Sequence, residues 1–203
     1  VAYRKQEGSY FDLNLGYGLN YDKRNRYFQP SDGFMSKWYQ KLPLLSDDGA
    51  LFNSYEISFY REPRDNMIIS TNLYAGAVNS LTNDDVRVSK RIYAPSYRLR
   101  GFEVGKVGPK DGNDFIGGNY IATFNSSTTL PYLLETLENI DLKLFLDMGN
   151  VWGVDYDSSI DDSNKLRSST GLALEILTPV GPLTFSYAEA ITKASTDVTE
   201  TFK

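Results

Sequence analysis

Carboxylates and basic side chains are the groups with which this sequence could do chemistry. It contains no histidine and no cysteine, so Ser-His-Asp and Cys-His catalysis, disulfides and most zinc sites are excluded. The 26 acidic residues outnumber the 21 lysines and arginines, and no basic run interrupts the chain, so we expect no nucleic acid as a partner. Carboxylate or lysine chemistry remains, or no chemistry at all.

Arg100 is the basic residue with the most unusual setting. It lies inside a connection of residues 81–115 that separates two strand-like segments. A structureless connection of that length is uncommon unless it has a function. A guanidinium inside a fold needs an oriented carboxylate, and its planar fork suits a bidentate pair. Asp147 is a candidate partner. From the residues alone, the favoured interpretation is that Arg100 is a solvated loop charge and Asp147 a polar residue near a turn.

The elements that position these residues are predicted to be strands. Apolar and polar residues alternate strictly over FDLNLGYGLNYD, residues 11–22, which is the period of a strand with one apolar face. Several strands reach the roughly 9–11 residues that cross a bilayer. The best helical candidate, residues 131–140, is short. Weaker alternation predicts seven more strands, at about 33–43, 51–61, 66–80, 115–131, 138–154, 165–178 and 181–193.

The residues that interleave with the apolar ones favour a water-containing interior over a packed core. They include Asp, Lys, Glu, Asn and Gly. The two longest connections, 81–115 and 154–165, fall on the same side of an up-and-down sheet, which matches the short-turn, long-loop asymmetry of outer-membrane barrels. We place Tyr21, Tyr74 and Trp152 on the apolar faces near strand ends, as an interfacial girdle requires. The pattern therefore predicts an all-β, antiparallel, up-and-down transmembrane β-barrel, with a soluble β-sandwich as the alternative.

Six blocks resemble the C-terminal barrel of the BamA family of outer-membrane β-barrel assembly factors, in the surface-antigen/POTRA-transporter superfamily. The resemblance implies a sixteen-stranded barrel in the outer membrane of a Gram-negative bacterium. Residues 1–203 would supply about eight strands of its C-terminal half, with the POTRA domains and first strands lying outside them. TETFK, residues 199–203, would begin the closing strand. The blocks are LNYDKRNRYFQPSDG (19–33), YRLRGFEVGKVGP (97–109), FIGGN (115–119), FLDMGNVW (145–152), LRSSTGLALE (166–175) and TPVGPLTFSYA (178–188).

The same resemblance assigns a place to the long connection. Residues 81–115 match the family's sixth extracellular loop, which folds into the lumen and docks an Arg-Gly-Phe turn on the inner wall. It implies docking residues Arg100, Gly101 and Phe102, with Asp147 as the carboxylate. The family commonly offers a second carboxylate, but the matching place here holds Ser127. Glu175 is the possible auxiliary carboxylate of the lumen.

The function that the resemblance implies is assembly and insertion of β-barrel proteins into the outer membrane, without enzymatic activity, metal or other cofactor. Its partners would be outer-membrane lipids, unfolded outer-membrane proteins and, through the POTRA domains, accessory assembly lipoproteins. The alternatives are a two-partner-secretion-type or TamA-like translocation pore of the same superfamily, and a soluble β-sandwich binding module. The sequence upstream of residue 1 would distinguish the assembly factor from the translocation pore. Partitioning into detergent micelles would distinguish the soluble module from both.

Overall fold

Eight strands form a single antiparallel sheet in which neighbours along the chain are neighbours in the sheet. The structure, a computed structural model, describes residues 6–82, 85–131, 140–155, 160–179 and 181–203. The sheet is open and is part of a barrel, which confirms the predicted fold. Its strands are β1 Asp12–Asp22, β2 Gly33–Ser46, β3 Ala50–Arg64, β4 Met67–Ser80, β7 Tyr120–Thr129, β8 Ile140–Trp152, β9 Arg167–Thr178 and β10 Gly181–Thr192.

Smaller elements lie in the long connection between β4 and β7. They are a 3₁₀ turn at Val88–Lys90 and a two-stranded hairpin of β5 Lys110–Asp111 with β6 Asp114–Phe115. Among the residues that the structure describes, no helix has the length and apolar character needed to cross a membrane. The helical candidate at 131–140 falls almost entirely outside the described residues.

The predicted strand at 115–131 begins later than expected, at Tyr120. Gly117 has a φ of +67°, which turns the chain. Gly118 then exchanges two backbone hydrogen bonds with Ile92, at 2.8 and 3.0 Å. The residues before Asn119 therefore belong to the long connection, because Ile116 and Gly118 bond to Pro109 and Ile92 within it. The pairing with β4 starts at Asn119, whose carbonyl accepts from the Val78 N–H at 2.8 Å.

The sheet has an inner and an outer face, set by the pleat. The inner face carries Glu56, Asn72, Asn125, Asp147 and Ser169, on which the long connection packs. The outer face is apolar and uncovered: in β8 and β9 the exposed fractions are 45% for Leu144 and 43% for Leu172. Within the described ranges no second sheet packs on these side chains. The soluble β-sandwich alternative is therefore wrong.

One residue of the predicted girdle lies on the other face. Tyr74 pairs in register with Glu56 and Thr123, both on the inner face, and its ring stacks on the Arg98 guanidinium at 3.8 Å. The other two girdle residues keep the predicted face, with Trp152 5.9 Å from the outward ring of Tyr120. The prediction was wrong on both counts, because Tyr74 lies in the middle of β4, Met67–Ser80, and its position in the alternation of that strand points it inward.

The described part of the long connection packs on the inner face of the sheet. Its residues Leu99, Phe102 and Val107 pack with Ile121 of β7 and Val151 of β8, and each of the five is no more than 2% exposed. Burial of one such side chain is worth roughly 1.5–3 kcal/mol. This cluster offsets part of the entropy of ordering the connection, and its ion pairs and hydrogen bonds to the wall contribute as well.

Candidate functional site

The centre of the site is a bidentate ion pair between the long loop and the wall. Arg100 donates from Nε to Asp147 Oδ2 at 2.7 Å and from Nη2 to Oδ1 at 2.7 Å, while its backbone N–H donates to Oδ2 at 3.1 Å. Asp147 is fully buried, whereas the Arg100 side chain is 17% exposed. The structure thus brings together the two residues that the sequence paired.

The surroundings of Arg100 fix the orientation of its side chain. The guanidinium carbon lies 3.6 Å from the centroid of the Phe145 ring, two residues before Asp147 on the same face of β8. The backbone carbonyl of Arg100 accepts a hydrogen bond from the Ser169 hydroxyl of β9. Three contacts of different chemistry therefore hold one residue: an ion pair, a cation–π stack and a backbone hydrogen bond.

Gly101 and Phe102 complete the turn. Gly101 has a φ of +86°, and a Cβ there would lie 3.2 Å from the Cβ atoms of both Ser169 and Ala188. Any side chain would therefore combine backbone strain with crowding against the wall. Phe102, 2% exposed, packs in the apolar cluster with Ile121 and Val151. The turn approaches the wall closely because its middle residue has no side chain.

The second partner in this site is an amide. Asn125 lies opposite Asp147 in the β7–β8 register and donates from Nδ2 to Asp147 Oδ1 at 2.8 Å and to the Arg98 carbonyl at 2.8 Å. Ser127, the residue at the place expected for a carboxylate, instead hydrogen-bonds Ser70 at 2.8 Å. The alternation of the strand was the missed signal, since residues 125 and 127 share a face.

The possible auxiliary carboxylate, Glu175, is not a partner of Arg100. It lies on the inner face and accepts from Lys143 Nζ at 2.8 Å. The idea that Arg100 uses Glu175 is therefore wrong. The physical reason is local: Lys143 sits on the adjacent strand, whereas both Asp147 oxygens already accept from the Arg100 guanidinium.

Arg98 is a second anchor that the sequence reasoning missed. Its guanidinium pairs with Glu56 at 3.2 Å, donates to Asn72 Oδ1 at 2.9 Å and stacks on Tyr74. The two arginines therefore bind different strands: Arg98 contacts β3 and β4, and Arg100 contacts β8. The alternation rule for strands gave no signal for this placement, because residues 96–100 form turns and not an extended segment.

The start of the loop is anchored by charge as well. Lys90 donates from Nζ to Asp12 Oδ1 at 2.7 Å and to Asp48 Oδ1 at 2.6 Å, and Arg87 Nη2 donates to the same two carboxylates at 2.8 and 3.1 Å. Arg91 reaches Asp155 at 3.2 Å. Basic residues from both the start and the tip of the loop thus meet acids on strands or connections outside it.

The tip also contacts the C-terminal segment. Glu200 N donates to the Gly101 carbonyl at 3.0 Å, and Glu103 N donates to the Val198 carbonyl at 3.0 Å. The same segment continues along β10, where Ala188 N donates to the Thr201 carbonyl at 2.8 Å. The Arg-Gly-Phe turn therefore touches two parts of the wall, β8 and the chain that follows β10.

A fully buried ion pair holds the connection before that segment. Arg167 of β9 donates from Nε and Nη2 to Asp197 at 2.9 Å each, and both side chains are 0% exposed. Asp197 also accepts from the backbone N–H of Ala194 at 2.6 Å. These contacts hold the connection that follows β10 in place. The acids described here are occupied by cations and hydrogen-bond donors, an arrangement suited to holding the loop in one place.

Comparison with known proteins assigns this arrangement to a family. The Omp85 superfamily domain matches residues 2–203. The outer membrane protein assembly factor BamA of Neorickettsia risticii is 26% identical over 194 residues, which cover 93% of this chain and 26% of that protein. The sorting assembly machinery 50 kDa subunit of Saccharomyces cerevisiae is 26% identical over 208 residues, covering 95% of this chain and 42% of that protein.

A solved structure shares the fold. The crystal structure of BamA from Haemophilus ducreyi lacking POTRA domains 1–3 superimposes with a TM-score of 0.82 at 28% identity, over 93% of this chain and 41% of that one. The chain thus spans less than half the length of each of these relatives. The predicted location in the outer membrane is confirmed by these similarities. Because the family match runs from residue 2 to the last residue, the chain belongs to the Omp85 superfamily.

Proposed function

We propose that the protein containing this chain assembles and inserts β-barrel proteins into the outer membrane, and that this chain supplies half of the wall and the loop that braces it. One observation carries the proposal. The Arg-Gly-Phe turn is bonded at once to Asp147 in the wall and, through Gly101, to the segment that continues from β10. The names of the relatives, which are assembly factors, agree with it.

The physical task of such a protein is to supply hydrogen-bond partners to a strand that enters lipid. An unpaired backbone N–H or C=O in hydrocarbon costs several kcal/mol. A strand edge in the membrane offers these partners by β-augmentation. The position of that edge must be defined, and here the segment at 198–201 is hydrogen-bonded to the docked turn. The loop therefore fixes where the next strand begins, which requires no covalent catalysis.

The partners follow from this task. Unfolded outer-membrane proteins would be the clients, and outer-membrane lipids would meet the exposed outer face. POTRA domains and the first strands would lie outside residues 1–203, and accessory assembly lipoproteins would bind through the POTRA domains. The docked loop 81–115 would remain in the lumen during assembly.

The proposal is tested by reconstituting the full-length protein into phospholipid vesicles and adding a urea-unfolded outer-membrane β-barrel protein. Folding of the client is followed by its heat-modifiable migration on gels. We expect the wild-type protein to accelerate folding over protein-free vesicles and the Asp147→Ala variant to lose most of that acceleration. Lys143→Ala, which breaks an inner-face pair that does not touch the loop, is the matched control and should retain the wild-type rate.

Two outcomes would contradict the proposal. The first is client folding no faster than in protein-free vesicles, with the protein's own barrel folded as judged by heat-modifiability. The second is passage of the unfolded client into the vesicle interior, which would identify a translocation pore instead.

A further inference from the structure

An apolar groove crosses the outer face between β3 and β9. Its larger section has a volume of about 480 Å³. A second section of about 350 Å³ adjoins it. Ala75 and Ala122, which face each other in the β4–β7 register, line both sections and form the floor where they join. The walls of the larger section are formed by Tyr55, Leu73, Phe124, Met148 and Leu166.

The groove has a defined direction relative to the membrane. Tyr120 is the first residue of β7 and Trp152 the last of β8, so the second section opens at the strand ends that carry the long loop. Rings of this type lie at membrane–water interfaces. Met148 in the larger section is four residues from Trp152, which places it about 13 Å deeper along the strand. The groove thus lies in one half of a hydrocarbon core about 30 Å thick.

We propose that this groove holds an acyl chain of a bilayer lipid from the leaflet at the loop-bearing ends of the strands. The groove is continuous with the exposed apolar outer face of an outer-membrane barrel, so hydrocarbon is what surrounds it. Of the lining side chains that the structure describes, none is charged. An unfilled groove would forfeit dispersion contacts along its walls, and a linear chain restores them.

The expected selectivity is modest, for a physical reason. Lipid tails are as apolar as the wall, so burial in the groove gains no hydrophobic free energy over the surrounding bilayer. The preference comes from packing alone. We expect about threefold enrichment over an ordinary outer-face position, equivalent to about 0.6 kcal/mol. This inference rests on the chain's place in a membrane barrel and is independent of the assembly activity.

The test uses the full-length protein in vesicles that contain a phospholipid with a photoreactive diazirine in its acyl chain. After irradiation, the labelled residues are mapped by mass spectrometry, with the outer-face residue Leu172 as reference. We expect label at Phe124 and Met148 to exceed label at Leu172 by about threefold. A diazirine near the headgroup should shift the label towards Trp152, because the chain enters from the loop side.

Variants that fill the groove make the test specific. Ala122→Phe and, on the neighbouring strand, Ala75→Leu should each reduce label at Met148 to the level of Leu172, while Leu172→Phe adds bulk outside the groove and should not. Three results would overturn the inference. The first is equal label at groove and reference positions in the wild type, and the second is label at Met148 that neither filling variant changes. The third is a headgroup-proximal probe that labels Met148 more strongly than Trp152. Protein–protein cross-links in place of lipid adducts at Met148 would assign the groove to a protein partner and also overturn it.

Discussion

Removal of the Asp147 carboxylate should release the long loop from the lumen. The change Asp147→Ala deletes an acceptor of four hydrogen bonds, three from Arg100 and one from Asn125. It leaves the Arg100 guanidinium on the inner face without its counter-charge. The reverse change, Arg100→Ala, leaves a carboxylate at a position that is 0% exposed.

The size of the effect follows from burial. Loss of one partner of a buried ion pair costs about 3–5 kcal/mol. Since the Arg100 side chain is 17% exposed and water can re-solvate part of it, we take the lower end, about 3 kcal/mol. At 1.36 kcal/mol per factor of ten, the undocked fraction of the loop should rise by a factor of about 150. The apolar cluster around Phe102 remains in place and limits the release.

The assay is cleavage of the loop by a protease added to the loop-bearing side of membranes containing the full-length protein. When opening and closing are fast relative to cleavage, the cleavage rate follows the open population. We expect the rate to rise by about two orders of magnitude in Asp147→Ala. Lys143→Ala, which breaks the separate pair with Glu175, should leave it unchanged.

The double variant decides whether the two residues act as a unit. In the double variant Arg100→Ala/Asp147→Ala, the loop should be cleaved more slowly than the sum of the two single effects on the docking free energy predicts. We expect a coupling free energy of about 0.5–3 kcal/mol. Additive effects, or an unchanged cleavage rate in the single variants, would refute the reasoning that this pair holds the loop.

Further predictions concern the contacts around the pair. Gly101→Ala should expose the loop to protease more than Gly112→Ala does, because both glycines have positive φ but only the first has wall atoms within 3.2 Å of its added Cβ. Asn125→Ala should weaken docking, whereas Ser127→Ala should have little effect, as measured by the same cleavage rate, because only Asn125 contacts Asp147. Asp197→Ala should lower the temperature at which the barrel becomes heat-denatured on gels, since it leaves the fully buried Arg167 without its counter-charge at a cost of about 3–5 kcal/mol.

The fold was predictable from local pattern because the side chains of a strand alternate strictly. The run at 11–22 predicted β1 within one residue, and the predicted strand at 181–193 differs from β10 by one residue at its end. The family and the antiparallel up-and-down order are also confirmed. The start of β7 was missed because FIGGN reads as strand, although Gly118 within it pairs with Ile92 of the long connection.

The site was predictable only in part, because its contacts depend on register. The family resemblance implied the pair of Arg100 and Asp147, and the structure places them in contact. The choice of Asn125 over Ser127, and of Lys143 as the partner of Glu175, follows from which strands adjoin and with what offset. The register between neighbouring strands cannot be read from the alternation of a single strand. Tyr74 shows the same limit, since a shift of one residue moves a side chain to the other face.

The central claim is that the apolar residues of alternate strand positions face lipid while their neighbours face a water-containing lumen. It is tested most directly by single cysteines in β1 of the full-length protein in vesicles, since residues 1–203 contain no native cysteine. A water-soluble maleimide should label Asn14→Cys and Asn20→Cys rapidly and leave Leu15→Cys and Leu19→Cys unlabelled. Equal labelling of the two sets, or the reverse order, would contradict the account.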